Sequence, residues 1–352
     1  MGTYNENGQH EVTREQPLLD SKGCVGEPGY ARKLIWKYDR SKIRAPRFRI
    51  KEWDYYLICN DHFGVAFTLA DLGYAGMISA SWLDFDKEEE QTRTTLTAFP
   101  LGRFHLGSHS DRSQAEVQNK QAHIKYSTMN GRRRIQCKFG GFSGGDTLSA
   151  EIWLKQDKDL ESMCIATPWE EDPKAFYYNQ KINCMPASGI VRLGGREYRF
   201  EPSTAMGVLD WGRGVWTYDN TWYWGTGSGF VNGKPFGFNI GYGFSDRSSA
   251  SENALIYDGK LHKLTDVELR IPKGPDNAPL FLENWDITSS DGRFEGTFRP
   301  IFDRKAHMDL KLILTDQHQI FGRFTGEAVL DDKTVLPVRD FLCAVEVVHN
   351  RY

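Results

Sequence analysis

A short tryptophan-rich segment carries the residues of this chain that are best suited to chemistry. Trp211, Trp216, Trp222 and Trp224 are four of the ten tryptophans and lie within fourteen residues. Asp210 stands directly before the first of them. A carboxyl group among indole rings loses solvation, so its neutral form is favoured and it becomes able to donate a proton near neutral pH. The segment therefore predicts a site with Asp210 as a catalytic acid.

A second interpretation of Asp210 is structural. Arg213 follows three residues later, and an ion pair between the two would favour the ionised carboxylate instead. The two interpretations predict opposite protonation behaviour, and the sequence leaves both open. The sequence also leaves two roles for the tryptophans, because indole rings can line a pocket or fill a closed core. In a strand, Trp222 and Trp224 share one face and Tyr223 takes the other.

Two polar pairs outside this segment are further candidates. Glu252-Asn253 and His318-Gln319 each adjoin apolar strand residues, an arrangement by which β-barrels present a few oriented groups to a ligand. Hydrogen bonding at strand ends explains the same pattern without a ligand. Glu252 and His318 are predicted as alternative catalytic residues. The predicted ligand-binding residues are Trp211, Arg213, Trp216, Trp222, Tyr223, Trp224, Asn239, Asn253 and Gln319.

Other catalytic signatures find no support in the sequence. Residues 141–145 match the G-x-S-x-G pattern of a nucleophile elbow, but that elbow needs a helix after it, and residues 147–154 are typical of a strand. Nucleotide-binding glycine motifs and the H-E-x-x-H zinc motif are absent. The six cysteines are far apart and form no C-x-x-C, so a zinc knuckle is not indicated. We predict no metal and no cofactor.

Composition limits the classes of partner. A net charge of -3 gives no reason to expect nucleic acid. No apolar run approaches the roughly 18 residues that a membrane span needs. The sequence shows neither a signal peptide nor an N-x-S/T glycosylation site, so we expect a reducing, cytoplasmic location. The oligomeric state is not indicated.

The elements that must position these residues are short strands. Alternating apolar and polar residues recur between glycine-containing turns, and the 34 glycines and 13% aromatic residues favour short strands and tight turns. Asn130-Gly131, between two alternating runs, is a strong hairpin signal. The stretch 341–348 fits either a strand or a helix. This many strands with few helices predicts an all-β protein of antiparallel sandwiches or barrels.

The chain resembles an uncharacterised family, the domain of unknown function numbered 2804, over residues 16–352. The resemblance rests on ADLGYAG at 70–76, GVLDWGRGVW at 207–216, ENAL at 252–255, HQIFG at 318–322 and the segment 326–352. The long tryptophan motif is the most specific of these. The family usually ends in Arg-Trp where this chain has Arg351-Tyr352, and it often has Ser at the position of Thr325.

More distantly, the Trp-Gly motif followed by Trp-x-Trp is similar to the tocopherol cyclases and carotenoid hydratases. That resemblance implies two lipocalin-like (calycin) antiparallel β-barrels or half-barrels packed together, with few helices. We expect a flexible lead-in over residues 1–30, a first β-domain over 31–190, and a second over 191–352 that carries the tryptophan-rich motif.

These observations predict a protein that binds a hydrophobic small molecule, an isoprenoid or other lipid, against the tryptophan-rich strand of the second barrel. A barrel of about eight strands can enclose one small ligand. In its catalytic form the hypothesis adds acid-catalysed cyclisation, hydration or isomerisation of that ligand without a cofactor. The alternatives are a lipid carrier without turnover, a carbohydrate-active enzyme with paired carboxylates, and a structural module whose tryptophans fill the core.

Overall fold

The computed structural model describes residues 3–112 and 114–352 and confirms the all-β prediction. Within these residues, helical structure is limited to the 3-10 turns Arg40–Lys42 and Arg47–Arg49, and no helix is long and apolar enough to cross a membrane. The strands, in chain order, are β1 (Thr3–Tyr4), β2 (His10–Glu11), β3 (Gln16–Pro17), β4 (Gly29–Ala31), β5 (Trp36–Lys37), β6 (Ile50–Cys59), β7 (Phe63–Asp71), β8 (Ala75–Asp84), β9 (Glu89–Ala98), β10 (Gln114–Gln118), β11 (Ala122–Met129), β12 (Arg132–Ser143), β13 (Asp146–Lys155), β14 (Met163–Pro168), β15 (Phe176–Leu193), β16 (Arg196–Phe200), β17 (Met206–Val215), β18 (Asp219–Val231), β19 (Lys234–Tyr242), β20 (Ala254–Tyr257), β21 (Lys260–Lys263), β22 (Val267–Arg270), β23 (Trp285–Ser289), β24 (Phe294–Asp309), β25 (Leu314–Val329) and β26 (Val335–Arg351).

The chain builds its two large sheets one after the other. Over the described residues, β1 to β17 form a fifteen-stranded sheet, apart from β3 and β5, which pair with each other. β18 to β26 then form a nine-stranded sheet in the order β21-β20-β19-β18-β26-β25-β24-β23-β22. The second sheet is antiparallel and curls into a half-barrel.

The chain passes from the first sheet to the second between Val215 and Asp219. The boundary expected at residue 190 falls inside β15, which pairs with β17. The tryptophan-rich segment is therefore divided, because Trp211 lies in the first sheet whereas Trp222 and Trp224 lie in the second. This segment joins the two sheets and does not belong to one barrel.

The segment expected to be a flexible lead-in packs against the first sheet over its described part. β2 pairs with β4, and β4 pairs with β14. Val12, Leu18 and Tyr30 are buried. Burial of these apolar side chains offsets the entropy lost when the segment is ordered.

Three apolar clusters form the interior. The largest belongs to the first sheet and includes Trp211, and the second fills the half-barrel around Phe238 and Phe324. The third lies between the sheets, where Tyr55 of β6 and Phe321 of β25 are members of one cluster. The two sheets therefore face each other across an apolar interface.

The stretch 341–348, which fitted either a strand or a helix, lies in β26. β26 pairs with β18 on one side and with β25 on the other. Pairing on both sides satisfies the backbone N–H and C=O groups of this buried segment. The tertiary partners therefore decide in favour of the strand.

Gly212 of β17 leaves room for an aromatic side chain from the neighbouring strand. Its register partner in β6 is Trp53, and a Cβ atom at position 212 would overlap the Trp53 indole ring. Only glycine lets this ring lie across β17. The requirement explains the first glycine of the Trp-Gly-Arg-Gly motif.

Replacing Gly212 with alanine should lower the free energy of unfolding by about 1–3 kcal/mol or more, as overpacking of a well-packed site does. Urea denaturation measures this change. Gly140→Ala is the control, because the nearest atom to a Cβ there is 3.6 Å away, and we expect a change below about 1 kcal/mol. Equal effects of the two substitutions would contradict the role assigned to Gly212.

Candidate functional site

A cavity of about 300 Å³ lies between the facing sides of the two sheets. The first sheet lines it with side chains of β6 to β9, β15 and β17, and the second with side chains of β18, β24, β25 and β26. The interior of the second half-barrel is occupied by its own apolar cluster. The sequence analysis expected the ligand space inside the second barrel. The cavity beside the tryptophans instead lies between the two sheets.

Strand register arranges the walls of the cavity in rows. Tyr55 of β6 is the partner of Asp210 in β17, and Asp210 is the partner of Lys181 in β15. Register partners present their side chains to the same face of a sheet, so these three groups meet at the first wall. A corresponding row on the second wall contains Trp224, Glu346, Gln319 and Arg304.

Asp210 is the centre of a polar cluster in the first wall. Its carboxylate accepts hydrogen bonds from the indole N–H of Trp53 (3.0 Å) and from the side-chain amide of Asn179 (2.8 Å). It also forms an ion pair with Lys181 (2.8 Å). The Lys181 ammonium group lies 4.6 Å from the centre of the Trp224 ring, so the cluster reaches across to the second sheet. Three converging donors make Asp210 a hydrogen-bond acceptor in this arrangement.

The ion pair between Asp210 and Arg213 that the sequence allowed is not formed. Arg213 is fully buried on the opposite face of β17, where it pairs with Asp54 (2.9 Å). Its guanidinium group lies 4.1 Å from the centre of the Trp211 ring and donates to the carbonyl of Gly107 (2.7 Å). Successive residues of a strand point to opposite faces, so residues 210 and 213 are turned away from each other.

Glu252 reaches the same cavity from the segment before β20. Its side chain is buried, and its carboxyl group accepts a hydrogen bond from the Tyr177 hydroxyl (2.9 Å). Gly241 of β19 makes room for it, since a Cβ atom there would overlap the Glu252 carboxyl. Burial raises the pKa of Glu252 above its ordinary value, although the Lys181 ammonium acts in the opposite direction. The surroundings therefore favour the neutral acid.

Glu346 of β26 is a buried carboxyl of the cavity that the sequence analysis missed. It accepts hydrogen bonds from the indole N–H of Trp222 (3.0 Å) and from the amides of Gln317 (3.0 Å) and Gln319 (2.9 Å). Burial raises its pKa, and the bond from Trp222 opposes that shift. A signal was present, because Glu346 is the one charged residue in the run AVEVV, and a charge buried in an apolar strand requires partners.

Four cationic residues of the cavity lining were also missed: Lys51, Lys181, Arg304 and Lys305. Arg304 donates to Gln319 (2.7 Å) and to Ser81 (2.9 Å) across the gap between the sheets. Lysine and arginine in alternating strands are usually exposed, so the local sequence held no sign that Lys51, Lys181 and Arg304 are partly or fully buried.

The predicted site residues divide between the cavity and its surroundings. Those that line the cavity are Asp210, Trp216, Trp222, Trp224, Glu252 and Gln319. Asn239 and Asn253 do not line the cavity, but each accepts a hydrogen bond from a neighbouring residue. Asn239 accepts from the Trp224 indole N–H (2.9 Å), and Asn253 accepts from the backbone N–H of Gly241 (2.8 Å).

Trp211, Arg213, Tyr223 and His318 are not cavity residues. Tyr223 stacks on Tyr242 with the ring centres 4.7 Å apart. The Nδ1 atom of His318 pairs with Asp303 (2.6 Å), and its ring stacks on Phe281 at 4.1 Å. Because His318 and Gln319 are adjacent in β25, they face opposite sides. The catalytic role predicted for His318 therefore has no geometric basis at this cavity.

Metal ligation and the nucleophile elbow find no geometric support in the described part of the chain. No group of three or more His, Cys, Asp or Glu side chains among residues 3–112 and 114–352 could hold a metal ion. Ser143 of the G-x-S-x-G stretch is followed by strand β13 and not by a helix.

Fold and cavity together define an all-β protein in which two large sheets enclose a space of small-molecule size. The chain belongs to the family described as domain of unknown function (DUF2804), whose profile matches residues 9–352. The family resemblance recognised in the sequence is thereby confirmed. No curated protein matches the chain in sequence.

The solved structures that are similar to this fold include the following two. A protein from Nitrosomonas europaea, provisionally assigned as AttH, is 11% identical and has a TM-score of 0.54, with 94% of this chain and 98% of that chain covered. Kievitone hydratase from Nectria haematococca is 12% identical, with a TM-score of 0.48 and coverage of 86% and 88%. At 11% identity, the likeness to the first of these concerns the fold alone.

Replacing Glu252 with glutamine should remove a pH-dependent loss of stability. Because the folded-state pKa lies above the ordinary value of 4.5, Glu252 stabilises the fold most below that value, and this stabilisation is lost as the pH rises through the folded-state pKa. Relative to E252Q, the free energy of unfolding of the wild type should therefore fall with rising pH, by up to about 1.4 kcal/mol per pH unit.

Urea denaturation of both proteins from about pH 4 to about pH 8 measures this difference. Glu327→Gln is the matched control, because Glu327 is exposed on β25 and its replacement should leave the pH dependence unchanged. A constant difference between the wild type and E252Q over the whole range would contradict the raised pKa.

Proposed function

We propose that this protein binds an apolar small molecule of the isoprenoid or lipid class in the cavity between its sheets and transfers a proton to it from Glu252. The observation that carries the proposal is the cavity itself, about 300 Å³ in volume and walled by indole rings, with a buried carboxyl group in its lining. Four tryptophans line it: Trp53, Trp216, Trp222 and Trp224.

The walls suit an apolar guest. Trp216 packs edge-on against Trp222 (5.1 Å between ring centres) and Trp53 (6.2 Å), so the indoles support one another around the space. Tyr55 and Trp224 make a further edge contact (6.0 Å). Pockets that are mostly aromatic with a few oriented polar groups are typical of small-molecule sites, and a volume of roughly 300 Å³ is at the lower end of their range.

Two carboxyl groups of the cavity, Asp210 and Glu252, have different surroundings, and this difference supports different roles for them. Asp210 accepts from three donors, including the Lys181 ammonium group. Glu252 is more deeply buried, and its pKa is raised. A buried carboxyl group with a raised pKa is typical of a general acid. In the proposal Glu252 is the proton donor, and Asp210 neutralises the charge of Lys181.

The aromatic walls suit the charge that such a proton transfer creates. When Glu252 gives its proton to a carbon–carbon double bond, the electron pair of that bond forms the new C–H bond and leaves a carbocation. The faces of Trp53, Trp216 and Trp222 would stabilise this cation through their π-electrons. Return of a proton from the cation to the Glu252 carboxylate would complete an isomerisation. The same proton loss after ring closure would complete a cyclisation, and after addition of water it would complete a hydration. None of these steps requires a cofactor.

Native mass spectrometry of protein purified from its own source tests the binding step. We expect a bound apolar molecule, released on denaturation. Trp224→Leu should reduce its occupancy by about tenfold or more, because the indole contributes wall area and an edge contact. Tyr223→Leu is the control, since the adjacent side chain stacks on Tyr242 on the other face. A sugar in the extract would favour the carbohydrate alternative instead.

Glutamine at position 252 tests the proton transfer with the recovered molecule as substrate. We expect kcat to fall about 10²- to 10⁴-fold, as for loss of a general acid, while the Kd changes less than about threefold. Glu327→Gln should leave both constants unchanged, because this residue is exposed and remote from the lining. Full turnover in E252Q would refute the assignment, and binding without turnover in the wild type would identify a carrier.

A further inference from the structure

One end of the cavity is built around Lys51, a side chain that the proposed function does not use. Lys51 is 2% exposed and lines the cavity from β6. Its ammonium group donates to the backbone carbonyls of Leu72 (2.8 Å) and Phe48 (3.2 Å). It also lies 4.4 Å from the centre of the Tyr74 ring and 4.3 Å from that of the Tyr352 ring. Carbonyl oxygens and ring faces both hold a cation in place.

The charge of Lys51 has no contacting counter-ion among the residues that the structure describes. Over residues 3–112 and 114–352, no carboxylate comes within ion-pair distance of its Nζ atom, whereas Lys181 has Asp210 at 2.8 Å. Asp71, a nearby carboxylate, accepts instead from the backbone N–H groups of Gly102 (2.8 Å) and Gly73 (3.1 Å). A buried cation without a paired anion is costly. An ammonium group has three donors, and two are used by the carbonyl groups.

A second unused donor belongs to Trp216, which also lines the cavity. Trp216 is 5% exposed, and its indole N–H has no hydrogen-bond partner among the described residues. The nitrogen lies 3.3 Å from the position that a Cβ atom on Gly214 would take, and Gly214 is the register partner of Lys51. The third N–H of Lys51 and the indole N–H of Trp216 therefore both lack an acceptor in the part of the lining where Gly214 faces Lys51, and buried polar groups without partners require an explanation.

We infer that this end of the cavity is an anion-binding site, in which Lys51 and Trp216 bind the carboxylate group of an amphipathic ligand. The inference rests on the proposed function and specifies its ligand class: an apolar molecule that carries an acid group. Tyr55, the register partner of Asp210, lies four positions after Lys51 on β6, a spacing of about 13 Å. The carboxylate is thus bound well away from the Asp210–Lys181 pair.

Protonation of Lys51 couples anion binding to pH. Burial lowers its pKa to about 7, Arg49 adds to the effect, and Asp71 opposes it. Tyr74 and Tyr352, the other titratable groups against the ammonium, contact it through their rings. The charged form therefore predominates only below about pH 7. Affinity for an anion should fall as the pH rises above that value, whereas affinity for a neutral ligand should not.

Calorimetric titration of the full chain with decanoate and with 1-decanol tests this inference, because the two probes differ only in the head group. At about pH 6 the wild type should bind decanoate at least about tenfold more tightly than decanol. That preference should disappear at about pH 9 and in K51M, and it should persist in K51R, which keeps the charge. W216F should weaken decanoate binding by about threefold or more beyond the loss, from reduced wall contact, that it causes for decanol. K138M, at an exposed lysine of β12, is the control for loss of charge.

The outcomes separate the two proposals. If decanoate and decanol bind equally well to the wild type at every pH, the proposed anion-binding site is refuted and the cavity remains a small-molecule site. If neither probe binds to the wild type, the proposed function itself fails. Far-ultraviolet circular dichroism shows whether K51M is folded, and if it is not, the pH dependence of the wild type together with W216F decides the question.

Discussion

Two buried ion pairs, back to back on strand β17, are the constraint on which the structure depends. Asp210 and Arg213 carry opposite charges three residues apart, yet they point to opposite faces and cannot neutralise each other. Each finds its partner on a neighbouring strand: Asp210 with Lys181, and Arg213 with Asp54. A buried charge without a partner is strongly destabilising. The pairs therefore fix the order and register of β15, β17 and β6.

Strand β17 also separates the packed core of the first sheet from the cavity. On the Arg213 face, Trp211 is fully buried in the core of the first sheet. On the Asp210 face, glycine at position 212 lets the Trp53 ring cross the strand, and the indole N–H of Trp53 reaches the Asp210 carboxylate. The second sheet closes over this face but leaves space, because its own apolar side chains turn into the half-barrel. A cavity with polar groups at its margins results.

Much of the fold was predictable because each strand has a recognisable pattern in its own local sequence. Period-two alternation, glycine-containing turns and dense aromatic residues indicated an all-β chain, and the half-barrel follows the resemblance seen in the sequence. The sheet to which each strand belongs was not predictable in the same way. Nothing local distinguishes β17 from β18, and only their partners place the first beside β6 and the second beside β26. For this reason the sequence could not show that residue 190 lies inside β15, a strand that pairs with β17.

The sequence by itself determined which residues alternate along each strand, and hence that Trp222 and Trp224 share a face that excludes Tyr223. It also marked Asp210 and Glu252 as unusual acids. Only the tertiary structure decided which face was open, and it brought Glu346 to the cavity from more than a hundred residues away in the chain. The physical reason is that burial of a strand face depends on the sheet packed against it, and that sheet is built from distant sequence.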